Sequence, residues 1–190
     1  MQVLWKEITA ADRYVADRMW QRAILCDCPL HPQGGCGLRK LGTYERVRPV
    51  GIRVARFWCP LARVSISLLP AFLAARMSGS LDEVEAVVLA VEQAGSVAAA
   101  VDVVHPADAK GAIGSVCAAR SIRRRLQAVR AALLAVVSLF ADHLTGVAPT
   151  ITALRHALAT EHVLVAVREL AVRHLGALPA PVGLRSRVSG

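Results

Sequence analysis

The sequence predicts a mainly α chain with a small β element: an N-terminal helix, a ribbon-like β-hairpin, then a helical bundle. Three observations predict it. Apolar residues recur at helical spacing in 1–25 and again from residue 78 onward. Between these regions, β-branched and aromatic residues form two short runs around Arg48-Pro49-Val50-Gly51. Three cysteines and a histidine crowd the Pro/Gly-rich loop just before those runs. The expected division is 1–77 for the helix and ribbon, 78–178 for a helical domain, and 179–190 for a flexible tail.

In the first helix Trp5, Ile8, Val15, Met19 and Ile24 form the apolar set. Residues 26–42 read as a loop. Strands are expected at about 43–48 and 52–58, joined by a turn at Pro49–Gly51. Alternation puts Tyr44 on one face with Arg46 and Arg48, while Arg53 and Arg56 lie on the partner strand. No strand pattern stands out after residue 60. Ser80-Leu81-Asp82-Glu83 is a capping box. Leu81, Val84, Val87, Val88 and Val91 then form one stripe, and Gly95 ends the helix. Ser96 caps a second helix, and a polar loop with Pro106 and Gly111 follows. A long helix is expected at about 115–140. It carries Ile122, Leu126, Val129, Leu133, Val136, Val137 and Phe140 on one side. Arg120, Arg123, Arg124, Gln127 and Arg130 occupy a separate arc, and Arg125 falls outside it. Residues 150–175 read as one or two amphipathic helices.

Composition narrows the function. Hydrophobic residues make up 55% of the 190, which raises a membrane reading. The uncharged runs reach only about a dozen residues, short of the roughly 20 that a spanning helix needs. The first residues carry charge at once and contain no apolar signal core. The expectation is a soluble, cytoplasmic protein with no membrane partner. Five cysteines, an odd number, argue against a secreted disulfide scaffold. Net charge is +9, and 20 of the 23 basic residues are arginine. Seven basic residues and one acid, Glu45, lie between Gly37 and Arg63. No acid occurs from 109 to 141 to pair with the arginines of the long helix. Such unpaired basic blocks are the electrostatic footprint of a nucleic-acid binder.

The cysteines suit a metal. Cys28-Pro-Leu-His31 has ligand spacing, and Cys36 closes the loop after two glycines. Cys59 follows at the end of the second expected strand. Cys28, His31, Cys36 and Cys59 supply the four sulfur and nitrogen ligands of a structural Zn2+, with Cys26 the rival for one place. Cys117 reads as core. A catalytic role finds no support. No cysteine has a base and orienting group in a local motif. No phosphate loop, nucleophile elbow or nucleotide fingerprint is present. His143, His162 and His174 read as structural.

Residues 26–76 resemble the N-terminal zinc ribbon of bacterial insertion-sequence transposases. In that family a cysteine knuckle leads into a strand with a Gly-x-Tyr-x-Arg core, matched by Leu41-Gly42-Thr43-Tyr44-Glu45-Arg46. Phe57-Trp58-Cys59 matches the strand entering a second knuckle, and Ser65-Ile66-Ser67-Leu68-Leu69-Pro70 matches its exit. The family's fourth cysteine falls on Ala62 and its glycine on Arg63, leaving His31 or Cys26 to replace the lost ligand. The resemblance extends to about residue 130. It implies a helix-turn-helix over 81–130, with the arginine-rich long helix as recognition helix in the major groove. Full transposases continue into a catalytic domain with three metal-binding acids. The expectation here is a stand-alone DNA-binding portion without catalytic activity. Arg46, Arg48, Arg53 and Arg56 would contact phosphate. Arg120, Arg123, Arg124, Gln127 and Arg130 would lie at or near the groove. The alternative is a helical protein-interaction module with a structural ribbon, acting as a homo-oligomer or beside an accessory partner.

Overall fold

A computed structural model describes residues 1–7, 10–104 and 112–184 of the chain. It divides into two compact units, Met1–Ser80 and Leu81–Gly183. Seven helices and one four-stranded mixed sheet are present among the described residues.

The first unit is built on the sheet, ordered β1-β4-β3-β2. Strands β2 (Arg39–Glu45) and β3 (Arg53–Cys59) form the antiparallel hairpin, and β4 (Val64–Pro70) pairs antiparallel with β3. Strand β1 (Gln2–Trp5) adds to β4 in parallel, from Gln2 opposite Ser67 to Trp5 opposite Pro70. Two expectations are corrected here. The chain does have a strand after residue 60, and its N-terminus is not one helix. Val3 and Trp5 pack against the sheet core, so edge pairing with β4 overrides the local helical spacing. Only α1 (Ala11–Ala16) and α2 (Met19–Arg22) are helical, separated by Arg18 in a left-handed conformation. Ile8, part of the expected stripe, lies outside the described residues.

An aromatic cluster holds these short helices. The Tyr14 ring meets Trp5, Trp20 and Phe72 at centroid distances of 5.5–6.1 Å. Its hydroxyl donates to Arg53 O at 2.7 Å. Lys40 Nζ donates to the carbonyls of Trp20, Gln21 and Ala23, closing the C-terminal end of α2.

The hairpin is shifted from expectation. Strand β2 starts at Arg39 and ends at Glu45, with a bulge between Lys40 and Gly42. Arg46 and Arg48 therefore belong to the connecting loop rather than to the face of Tyr44. Alternation along the strands separates two faces. Ala55, Phe57, Cys59, Ile66 and Leu68 point into the core. Arg56 pairs across to Gly42 and Ser67, and Trp58 to Ser65, on the opposite face.

The second unit is helical. Helix α3 (Leu81–Ala94) packs on α4 (Val97–Val104), α5 (Ala112–Leu139), α6 (Ile151–Leu158) and α7 (Val163–Leu170). The expected stripe of α3 is buried, and Gly95 follows it with φ +70°. Ser96 Oγ accepts from Ala99 N at 3.1 Å, capping α4. The loop expected around Pro106 and Gly111 lies outside the described residues. In α5, Ile122, Leu126, Val129, Leu133 and Val136 are buried as a stripe.

Two glutamates of α3 cap later helices. Glu85 Oε2 accepts from Leu164 N at 2.9 Å, in the first turn of α7. Glu92 accepts from Ile151 N and Thr152 N at 2.9 and 3.0 Å, in the first turn of α6. Seven residues apart, they share one face of α3 and neutralise two orphaned N-termini. Residues 179–184 do not behave as the expected tail. Pro181 and Val182 are buried, and Arg168 Nε donates to Val182 O at 2.9 Å. Residues 185–190 lie outside the described residues. No helix among the described residues is long and apolar enough to cross a membrane.

Candidate metal centre

The local sequence builds two knuckles. In the first, His31 N donates to Cys28 O at 3.0 Å and Gly34 N donates to His31 O at 2.9 Å. Gly34 and Gly35 then take φ +81° and +76°, a conformation that side chains resist, and bring Cys36 back beside Cys28. The second knuckle is the β3–β4 turn, where Arg63 N donates to Pro60 O and Arg63 itself sits at φ +51°.

Strand β3 delivers Cys59 to the first knuckle. The ligand atoms of Cys28, His31, Cys36 and Cys59 all lie within 4.8 Å of one another. His31 Nδ1 is 3.5 Å from Cys28 Sγ and 3.4 Å from Cys59 Sγ. Metal–ligand bonds of about 2.3 Å to sulfur and 2.0–2.1 Å to nitrogen put tetrahedral S and N ligands roughly 3.6 Å apart. The observed separations match that figure, and this group can hold a metal ion. All three thiols are buried, while Cys26, the rival ligand, is exposed and outside the group. Cys117, expected in the core, is also exposed.

Each sulfur accepts a backbone N–H, as thiolate ligands require. Ala62 N donates to Cys59 Sγ at 3.4 Å, Leu30 supplies Cys28, and Leu38 supplies Cys36. Burial pushes the Cys28 thiol up, but hydrogen bonds from His31, Leu30, Cys36 and Cys59 outweigh it and bring the value down to about 7. Burial and its bond to Cys28 push Cys36 the other way.

The basic residues fare differently. Arg46 is tied down: its Nη2 donates to Ala74 O and Met77 O, so it acts as a strut between the hairpin end and the 74–79 segment. A guanidinium spent on two carbonyls is poorly placed as the phosphate contact expected of it. Arg48 and Arg53 are exposed. Arg56 stands 5.9 Å over the Tyr44 ring and donates to Ser65 Oγ at 3.1 Å. Arg120, Arg123, Arg124, Gln127 and Arg130 are exposed along α5, whereas Arg125 is buried. The sequence reading missed Ser65, Ser67 and Gln2 beside Arg56. Their signal was the polar alternation Ser65-x-Ser67 within an otherwise apolar run. No family model, curated protein or solved structure matches the chain.

Proposed function

We propose that Cys28, His31, Cys36 and Cys59 hold a structural Zn2+, and that the chain binds duplex DNA without catalytic activity of its own. The carrying observation is the four-ligand group, its ligand atoms all within 4.8 Å of one another and its imidazole 3.4–3.5 Å from two of the sulfurs. A set of three sulfurs and one imidazole suits zinc among the common divalent ions. Zinc there would join the Cys28–Cys36 loop to the end of β3 and stiffen a small sheet that displays a basic hairpin.

Charge supports nucleic acid as the partner. The exposed side chains of Arg120, Arg123, Arg124 and Arg130 have no acid between 109 and 141 to pair with. The hairpin tip holds Arg48 between Val47 and Val50, both 84% exposed. Minor-groove proteins use such mixtures of cation and apolar wedge. The packing of α3, α4 and α5 on one another is compatible with a helix-turn-helix whose reading helix is α5. On this reading the chain is a relative of the transposase DNA-binding region.

The test is duplex binding of the zinc-loaded chain as a function of salt. Affinity should fall steeply between about 50 and 200 mM salt as counterions are released. Replacing Arg120, Arg123 and Arg124 with alanine should flatten the log–log slope by about one unit per lost phosphate contact. Salt-independent binding, or a stable oligomer with no DNA affinity, would discard the proposal in favour of a protein-interaction module.

A further inference from the structure

The sheet face opposite the cysteines carries a cleft of about 650 Å³, open to solvent. Its walls come from all four strands and the segment after β4: Gln2, Tyr44, Arg56, Ser65, Ser67 and Arg76. Register explains the grouping. Ser67 lies between Gln2 and Arg56 across the sheet, and Ser65 is the next residue on that face. Polar side chains therefore line a concave surface whose reverse side is the metal-bearing core.

The chemistry favours an anion. Two arginines and three hydroxyl-bearing residues line the cleft, and no acidic residue does among the described residues. Arg56 is pre-positioned by its cation–π contact with Tyr44 at 5.9 Å and its bond to Ser65 Oγ. That bond uses one of five N–H donors in a planar fork, the shape that grips phosphate oxygens in pairs. The volume greatly exceeds a bare phosphate and falls in the range of small-molecule sites, about 300–1,000 Å³. The Tyr44 ring, with Arg56 5.9 Å from its centre, supplies an aromatic surface of the kind on which bases lie in single-strand binders.

We propose that this face binds one nucleotide unit, with its phosphate between Arg56 and Arg76 and its base against the Tyr44 ring. The unit comes from a free nucleotide or from a single strand. The site is separate from the α5 arginines, so it does not depend on duplex binding.

The experiment uses the full zinc-loaded chain, titrated with adenosine monophosphate, with a labelled eight-nucleotide single strand, and with inorganic phosphate. Amide chemical shifts should move at Tyr44, Arg56, Ser65 and Ser67 with the nucleotide or the strand. Saturation by the nucleotide assigns a free ligand, and saturation by the strand alone assigns nucleic acid. Tyr44→Leu and Arg56→Ala should each weaken binding by about tenfold while zinc content stays stoichiometric. The Arg120/Arg123/Arg124 alanine variant should lose duplex affinity and keep this binding. If Arg56→Ala loses zinc, Ser65→Ala and the shift map of the parent chain carry the test. Shifts elsewhere, a response to phosphate alone, or no binding of either nucleotide form at millimolar concentration would overturn the assignment.

Discussion

His31 Nδ1 lies 3.4 Å from Cys59 Sγ across 28 residues of chain, and this contact joins the two knuckles of the first unit. Removing either partner should therefore unlink the loop from β3. His31→Ala and Cys59→Ser are each expected to lose stoichiometric zinc and to lower the melting temperature. Cys26→Ser should do neither, because Cys26 is exposed and outside the group. Metal analysis with calorimetry on the three variants checks this. A parent chain without zinc would remove the metal centre.

Ala62 offers a direct test of ligand replacement. Its backbone N–H already reaches Cys59 Sγ, and its side chain packs against the core that holds the three thiols. A sulfur at position 62 can stand in for the imidazole. His31→Ala with Ala62→Cys should regain zinc that His31→Ala alone has lost. Cobalt substitution would show the change from three sulfurs to four as stronger charge-transfer absorption. A double variant that stays metal-free would show that the second knuckle cannot turn a side chain inward.

Arg63 occupies the position where the resembled ribbon has glycine, and its φ of +51° is a conformation that L-residues resist by about 1–2 kcal/mol. Arg63→Gly should relieve this strain, offset in part by the greater freedom of glycine in the unfolded chain. A net gain of up to about 1 kcal/mol is expected, read as a higher melting temperature at equal zinc content. A drop would mean that the arginine side chain stabilises the turn more than its backbone strains it.

The glutamate caps of α3 should differ in strength. Glu85 is 3% exposed, and its side chain meets both Leu164 N and Arg155. Its loss leaves a buried donor without its acceptor, so Glu85→Ala should cost about 2–3 kcal/mol. Glu92 is half-buried at the start of α6, and Glu92→Ala should cost about 1 kcal/mol. Urea unfolding of both variants measures the difference. Equal, small effects would mean that water replaces either carboxylate.

His162 links stability to pH. Its Nδ1 lies 2.9 Å from Asp82 Oδ1, and that hydrogen bond, with the Asp82 charge, raises the imidazole above its ordinary 6.5, with Glu85 and Glu161 adding to the shift. A raised folded value means that the charged ring stabilises the folded chain. The contribution is complete below about pH 6.5 and is lost as pH rises through the folded value. Both side chains are more than half exposed, so it stays under about 1 kcal/mol. The gap in melting temperature between the parent and Asp82→Asn should narrow from about pH 5.5 to about pH 8.5. A gap of constant size across that range would count against the pair.

By itself the sequence pointed to the candidate donors, with Cys26 still a rival for one place, and to most of the helices. Cys28, His31 and Cys36 are neighbours in the chain, and glycines between them specify the turn, so ligand spacing could be read directly. The stripes of α3 and α5 depend on residues three and four apart, which is information held within one segment. Tertiary structure alone decided the rest. Strand β1 exists because β4 lies beside it, and nothing in residues 2–5 names a partner more than sixty residues away. The roles of the arginines follow the same logic. Arg46 and Arg56 look alike in sequence. One meets two carbonyls of the 74–79 segment, while the other faces a ring and a hydroxyl on neighbouring strands. Local periodicity specifies which face a residue takes within its own element. What that face meets depends on pairing between distant segments, and that is settled only when the whole unit buries its core.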